Sequence, residues 1–139
     1  MTTRILVVDD SERWRLVVRA TLEGVPGFRV VGEASDGAEA VKEAATLLPD
    51  IVLLDVGMPH VNGIEAAKRI RQISPESKII FLTQDSDSEV REAALATGAI
   101  AYLLKSRASY GLLATTETAM LTFQTAGAKL SVPESSSSL

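Results

Sequence analysis

The sequence alternates regularly between short apolar runs and longer segments of helical periodicity, and this alternation is the strongest limit on its fold. The apolar runs occupy 5–8, 29–32, 51–54, 79–82 and 100–104, and the helical segments occupy 11–23, 37–48, 63–73, 87–97 and 109–123. Runs that are almost purely apolar fit parallel strands buried on both faces. The pattern therefore predicts an α/β fold, a doubly wound five-stranded parallel sheet with helices on both faces.

One apolar run and one glycine refine this prediction. The run 29–32 begins with Arg29 and is followed by Glu33, so we expect it to form an edge strand of the sheet. Gly98 follows the helical segment 87–97 at a position where a residue that tolerates positive φ is favoured.

The helical segments each carry apolar residues that we expect to share one buried face. They are Trp14, Val17, Val18 and Leu22 in 11–23, Ile64, Ala67, Ile70 and Ile73 in 63–73, and Val90, Ala93 and Ala94 in 87–97. The arginines of the first helix, Arg13, Arg15 and Arg19, are expected to form a solvated face, with contact to an acidic partner surface as the alternative.

Composition excludes several classes of function. A chain of 139 residues fits one domain, and the absence of cysteine together with a single histidine excludes disulfides, thiolate metal sites and multi-histidine metal sites. The net charge of −4 makes the chain itself a poor nucleic-acid binder. Because it has no membrane-length apolar run and no signal-peptide pattern, we expect a soluble cytoplasmic protein with no membrane partner.

Polar side chains follow four of the predicted strands directly. Asp9 and Asp10 follow the first strand, Asp55 follows the third, Thr83 the fourth and Lys105 the fifth. In an open α/β sheet ligands bind beyond the carboxyl ends of the strands, close to the point where strand order reverses. The sequence therefore predicts one site that gathers three carboxylates, a hydroxyl and an ammonium group.

The chemistry of this predicted site favours phosphoryl transfer. Clustered carboxylates need a cation to stay ionised, and an all-oxygen ligand set points to a hard cation, of which Mg²⁺ is the natural choice. Lys105 can place a positive charge on a phosphoryl oxygen and Thr83 can donate its hydroxyl. A carboxylate beside Mg²⁺ can also attack phosphorus and form an aspartyl phosphate.

An ordered set of motifs in residues 4–121 resembles the receiver domains of bacterial two-component response regulators. The motifs are ILVVDD at 5–10, DVGMP at 55–59, NG at 62–63, LT at 82–83 and GAIAYLLK at 98–105. The sequence is most similar to the subfamily with a C-terminal LuxR-type helix-turn-helix output domain. This resemblance implies a flavodoxin-like sheet with strand order 2-1-3-4-5.

The resemblance also implies roles for the site residues. Asp55 is implied to be the phosphoacceptor, and Mg²⁺ is implied to bind Asp10, Asp55 and the backbone carbonyl of Gly57, with Asp9 acting through water. Thr83 and Lys105 are implied to contact the phosphoryl group. Thr83 and Tyr102 are implied to form a switch pair that changes conformation on phosphorylation.

The same resemblance implies partners and domain limits. The donor is expected to be a sensor histidine kinase, and phosphorylation is expected to favour a homodimer. Residues 1–124 are predicted to form the receiver domain, and 125–139 a flexible tail or the start of an interdomain linker. Transcription would then be regulated through an output domain that this sequence does not contain, which alone would bind DNA.

Other functions stay open at this point. A Mg²⁺-dependent phosphatase or mutase of the dehalogenase type needs an acid two residues after its aspartate nucleophile, where Gly57 stands. A flavodoxin-like flavin carrier needs a phosphate loop where Asp9 and Asp10 stand. A stand-alone receiver and a phosphorylation-independent interaction module remain alternatives. Two residues depart from the receiver pattern: Ser106 stands where proline is frequent, and Gln84 where small residues are common.

Overall fold

Each apolar run forms a strand, and four of the predicted helical segments form helices. The structure is a computed structural model that describes residues 2–107. Its strands are β1 (Thr3–Val8), β2 (Phe28–Ala34), β3 (Ile51–Leu54), β4 (Lys78–Thr83) and β5 (Ala101–Leu104). Its helices are α1 (Glu12–Glu23), α2 (Gly37–Leu47), α3 (Gly63–Ile73) and α4 (Ser88–Leu95), and a short 3₁₀ turn covers Lys105–Arg107.

The strands form one parallel sheet in the order β2-β1-β3-β4-β5. The strand order predicted from the family resemblance is therefore confirmed, and β2 is an edge strand, as its charged ends predicted. The order reverses between β1 and β3, so the residues that follow these two strands lie side by side at the carboxyl edge of the sheet.

Successive side chains of each strand enter different cores, as the two-residue period of a strand requires. Leu6 and Val8 of β1 pack with residues of α2, α3 and α4, whereas Ile5 and Val7 pack with Val18 and Leu22 of α1. Helices therefore lie on both faces of the sheet, which confirms the predicted α/β architecture.

Side-chain caps fix where the helices begin. Ser11, Asp36, Asn62 and Asp87 each accept a hydrogen bond from a backbone N–H in the first turn of the following helix. At the other end of α4, Gly98 adopts a φ of 99°, so the prediction of a positive-φ glycine is confirmed.

Three apolar residues assigned to buried helix faces are exposed instead. Val17 is 47% exposed and Ile73 39% exposed, and Ala93 is also exposed. The buried stripe of each helix is narrower than the apolar pattern: Val18 and Leu22 carry the burial in α1, and Ala94 carries it in α4. The strand β5 is only half-buried throughout because it is the second edge of the sheet.

The arginine prediction is also wrong for two of three residues. Arg13 is exposed, but Arg15 and Arg19 both pair with Glu33 of β2, at 2.9 Å and 2.7 Å. These ion pairs fasten α1 to the edge strand.

Some predictions fall outside the described residues, namely the helix at 109–123, the domain limit at 124 and the tail at 125–139. Across residues 2–107 every peptide bond is trans, including the one between Lys105 and Ser106. Among the described helices, none has the length and apolar character needed to cross a membrane.

Candidate functional site

Three carboxylates meet beyond the carboxyl ends of β1 and β3. One oxygen each from Asp9, Asp10 and Asp55 lies within 4.8 Å of the others, with Asp9 and Asp55 buried and Asp10 exposed. Backbone hydrogen bonds hold the two buried residues in the sheet: the Asp9 N–H donates to Ala34 at 3.0 Å, and the Asp55 N–H donates to Val8 at 3.1 Å. The adjacency of β1 and β3 therefore assembles the predicted acidic cluster.

Lys105 supplies the positive charge of the site. Its side chain is buried, and Nζ lies 2.7 Å from Asp9 Oδ2 and 3.3 Å from Asp55 Oδ2. The ammonium group bridges carboxylates that belong to two neighbouring strands. A buried ammonium needs such partners, because a charge removed from water without compensation is strongly unfavourable.

Asp9 is held by two further contacts. Its Oδ1 accepts a hydrogen bond from the Ser11 N–H at 2.9 Å, and Nη1 of Arg15 donates to its backbone carbonyl at 2.6 Å. Burial raises the pKa of Asp9, and the charge of Asp55 adds to this, while hydrogen bonds from Lys105 and Ser11 act in the opposite direction. A bound cation would offset the cost of ionising this carboxyl.

The donor set fits a hard divalent cation. The cluster offers only oxygen ligands, and its three carboxylates exceed the single positive charge of Lys105. Gly57 lines the same cavity of about 590 Å³ and is exposed, and beyond its two chain neighbours no residue comes within 4 Å of the place where a Cβ would stand. Its backbone is therefore open to a ligand in the cavity.

Thr83 and Tyr102 are linked by hydrogen bonds through Asp85. The buried Thr83 accepts a 3.3 Å hydrogen bond at Oγ1 from the Asp85 N–H, and the Tyr102 hydroxyl donates to the Asp85 carbonyl at 2.7 Å. The Tyr102 ring lies 6.1 Å from that of Phe81 between centroids. Burial raises the pKa of Tyr102, and the nearby Asp85 carboxylate raises it further.

The structure thus gathers most of the predicted residues around one cavity. Its lining includes Asp10, Asp55, Gly57, Thr83 and Lys105, with Asp9 bound to Lys105 beneath it. Tyr102 is connected to this region by its hydrogen bond to the Asp85 carbonyl.

Two residues of the site have roles that the sequence analysis did not assign to them. Trp14 was assigned to the buried face of α1, and it does pack on that core cluster, but it also lines the cavity, with its ring centroid 5.0 Å from Lys105 Nζ. Arg15 was expected in solvent, but it contacts Asp9. Their positions just after Asp10, in the first turn of α1, were the available signal.

Residues 5–117 match the family model of the response regulator receiver domain. The chain belongs to this family. Its place in two-component signalling, predicted from the motifs, is confirmed, and the fold agrees with it. The acidic cluster of Asp9, Asp10 and Asp55 could hold a metal ion.

Two curated relatives are regulators. The chain is 43% identical over 103 residues to the transcriptional regulatory protein LiaR of Bacillus subtilis (strain 168), covering 74% of this chain and 49% of LiaR. It is 40% identical over 104 residues to the response regulator UvrY of Escherichia coli (strain K12), covering 75% of this chain and 48% of UvrY. The receiver domain thus spans about half the length of these relatives.

Solved receiver domains share its architecture. The response regulator domain of CheB from Thermotoga maritima has a TM-score of 0.81 at 33% identity, covering 86% of this chain and 97% of that chain. A LuxR-family two-component response regulator from Aurantimonas sp. SI85-9A1 has a TM-score of 0.80 at 36% identity, covering 85% and 84%. LiaR, UvrY and the Aurantimonas structure support the LuxR subfamily. One relative is an enzyme, the protein-glutamate methylesterase/protein-glutamine glutaminase of Thermotoga maritima. It is 40% identical over 111 residues, which cover 78% of this chain and 32% of the enzyme.

Proposed function

We propose that Asp55 accepts a phosphoryl group from a phosphohistidine of a sensor histidine kinase. A carboxylate oxygen of Asp55 forms the new bond to phosphorus, and the bond from phosphorus to the imidazole nitrogen breaks, with its electron pair leaving on the imidazole. The observation that carries this proposal is the placement of Asp55 in the cavity, with the Lys105 ammonium 3.3 Å from its carboxylate.

Mg²⁺ is the cation we propose for the acidic cluster. Asp10, Asp55 and the Gly57 carbonyl are its proposed direct ligands, and Asp9 is proposed to act through a water molecule. When bound, the ion neutralises negative charge on the phosphoryl oxygens and on the attacking carboxylate. Lys105 and Thr83 then serve the phosphoryl oxygens as a positive charge and a hydroxyl donor.

The output proposed for this reaction is a change in a protein-interaction surface. Thr83 turns its hydroxyl to the phosphoryl group, and Tyr102 follows through the Asp85 loop, which makes these two residues a switch pair. The domain itself is proposed to act as a regulatory phosphoacceptor without another catalytic activity. Its effect on transcription is proposed to pass through a helix-turn-helix output domain. This proposal is supported by LiaR, a transcriptional regulatory protein of which this chain covers 49%.

Acetyl phosphate and mass spectrometry test the phosphoacceptor. With Mg²⁺, the protein should gain about 80 Da as one phosphoryl group replaces a proton and acetate is released. Asp55→Asn should abolish the gain, Asp10→Ala should reduce it strongly, and EDTA should block it. Asp36→Asn is the matched control, because Asp36 caps α2 and asparagine caps helices equally well. Full labelling of Asp55→Asn would exclude Asp55 as the acceptor.

Sedimentation tests the proposed dimer. Beryllofluoride with Mg²⁺ mimics the phosphoryl group, and the association constant should rise when both are present. An unchanged association constant would exclude dimerisation as the output and favour a separate protein target.

A further inference from the structure

We propose that Trp14 is a positioning residue for Lys105, and that its indole face holds the ammonium group at the site by a cation–π interaction. The inference rests on the proposed function, in which Lys105 contacts the phosphoryl group. Trp14 is not proposed to touch any reacting atom, so its effect must pass through Lys105.

The geometry around the ammonium group carries this proposal. Nζ of Lys105 lies 5.0 Å from the Trp14 ring centroid, within the distance of about 6 Å at which such contacts are attractive. The Lys105 side chain is only 5% exposed, so water competes weakly for the charge. Tryptophan is the strongest aromatic partner for a cation, and removal from water strengthens the interaction.

Trp14 can position another side chain because it is itself held in place. Its backbone N–H donates to Oγ of the cap residue Ser11 at 3.3 Å, and its ring packs against the core cluster that contains Val18 and Leu22. The next residue, Arg15, ties the same turn of α1 to the backbone carbonyl of Asp9 at 2.6 Å. The ring and the carboxylate that face Lys105 therefore belong to one connected unit.

The contact between the Trp14 ring and Lys105 matters most when a second cation shares the carboxylates of Asp9 and Asp55. Asp9 and Asp55 belong to the acidic cluster that a cation would occupy, so their hold on Lys105 weakens when another positive charge is present. Lysine has a flexible stem that loses entropy when it is fixed. The indole face offers no oxygen ligand to a hard cation such as Mg²⁺, so it keeps the ammonium group in place for the arriving phosphoryl group.

Fluorinated tryptophan isolates the electrostatic part of this contact. Trp14 is the only tryptophan of the chain, so biosynthetic incorporation alters this position alone. Fluorine atoms weaken the negative face of the ring with little change in size. The rate of labelling by acetyl phosphate should fall stepwise with fluorine number, by about three- to tenfold over the series. Rates that do not follow fluorine number would overturn the proposal.

The Lys105→Met background is the matched control for this series. Its residual labelling rate, with no ammonium group to hold, should not depend on the number of fluorine atoms. An equal dependence in both backgrounds would show that the ring acts on its own, and would overturn the proposal. Loss of labelling in the unmodified protein would instead refute the proposed function.

A double-mutant cycle on metal-free protein tests the contact without phosphorylation. Trp14→Leu should lower the folding equilibrium constant about three- to tenfold more in the presence of Lys105 than in the Lys105→Met background. Trp14→Phe should show a smaller coupling, because phenylalanine is a weaker partner for a cation. Additive effects of the two substitutions would overturn the proposal, and the fluorinated series decides the matter if Trp14→Leu does not fold.

Discussion

The hydroxyl of Tyr102 donates a 2.7 Å hydrogen bond to the backbone carbonyl of Asp85. The N–H of the same Asp85 donates to Thr83 Oγ1 at 3.3 Å, so one loop residue connects a buried threonine with a half-buried tyrosine. Thr83 ends β4 and Tyr102 lies in β5, the neighbouring strand. A change in the hydrogen bonds of the threonine therefore has a short path to the edge of the sheet.

This path predicts a spectroscopic response of Tyr102. Beryllofluoride with Mg²⁺ should draw the Thr83 hydroxyl toward the new oxygens or fluorines, release the Asp85 loop and shift the ring resonances of Tyr102. Ring-labelled tyrosine measured by NMR would detect the shift, and Tyr102→Phe distinguishes its signal from that of Tyr110.

Thr83→Val provides the test of the connection. Valine keeps the shape of threonine but cannot form the hydrogen bond, so the shift of Tyr102 should become much smaller. A shift of equal size in this variant would show that the signal reaches Tyr102 by another path.

A second prediction concerns competition between Lys105 and Mg²⁺. Because the ammonium group pairs with Asp9 and Asp55, it opposes a second cation at the same carboxylates. Lys105→Met should therefore bind Mg²⁺ more tightly, by about tenfold, which corresponds to about 1.4 kcal/mol. Calorimetric titration would measure this. Lys78→Met is the control: Lys78 begins β4, at the opposite end of the strand from Thr83, so this change should leave the Mg²⁺ affinity unchanged. Equal or weaker binding by the Lys105 variant would contradict the prediction.

A third prediction follows from the pKa of Asp9, which burial raises above its ordinary value of 3.8. The folded protein binds a proton at Asp9 more tightly than the unfolded chain does. Its contribution to the free energy of unfolding therefore decreases as the pH rises from about 4 through the raised pKa. Asp9→Asn cannot titrate, so the metal-free variant should gain stability relative to the wild type over this range.

Urea denaturation at a series of pH values measures this difference. Asparagine retains an oxygen that can accept from the Ser11 N–H, so the comparison isolates the charge. A difference between the two proteins that stays constant with pH would contradict the assigned direction of the pKa.

A fourth prediction concerns two glycines beside the phosphoacceptor. A Cβ at Gly63 would overlap the backbone carbonyl of Asp55, whereas a Cβ at Gly57 would have no residue beyond its chain neighbours within 4 Å. Gly63→Ala should lower the free energy of unfolding by about 1–3 kcal/mol, and Gly57→Ala should change it by about 0.5 kcal/mol or less. Urea denaturation compares the two, and equal effects would mean that the loop after β3 adapts freely.

The sequence was sufficient for the sheet and for the acidic cluster because both depend on local patterns joined by a general rule. Apolar runs mark buried strands, and the residues after parallel strands meet at one edge. Asp9 and Asp55 are brought together in this way, and Lys105 reaches them from the end of the edge strand β5.

The side-chain partners were harder to predict, because they depend on where each helix crosses the sheet. Periodicity assigned Val17 to the buried face of α1, but the sheet covers a narrower stripe and leaves it 47% exposed. The orientation of α1 on the sheet also brings Arg15 to Asp9 and Glu33, and Trp14 to Lys105. The route from Thr83 to Tyr102 through a backbone group of Asp85 has no counterpart in the sequence pattern.

Arg15 joins the carbonyl of Asp9 to the carboxylate of Glu33 on the outermost strand. Anyone transplanting this site into another protein would therefore need more than its acidic residues. To keep the environment of Asp9, β1, α1 and β2 would have to move together, since the Arg15 guanidinium that contacts its carbonyl is itself paired with Glu33 of β2. A chimera that kept Asp9 but exchanged β2 for a strand without Glu33 would remove the carboxylate that orients Arg15, and with it the support of the Asp9 backbone.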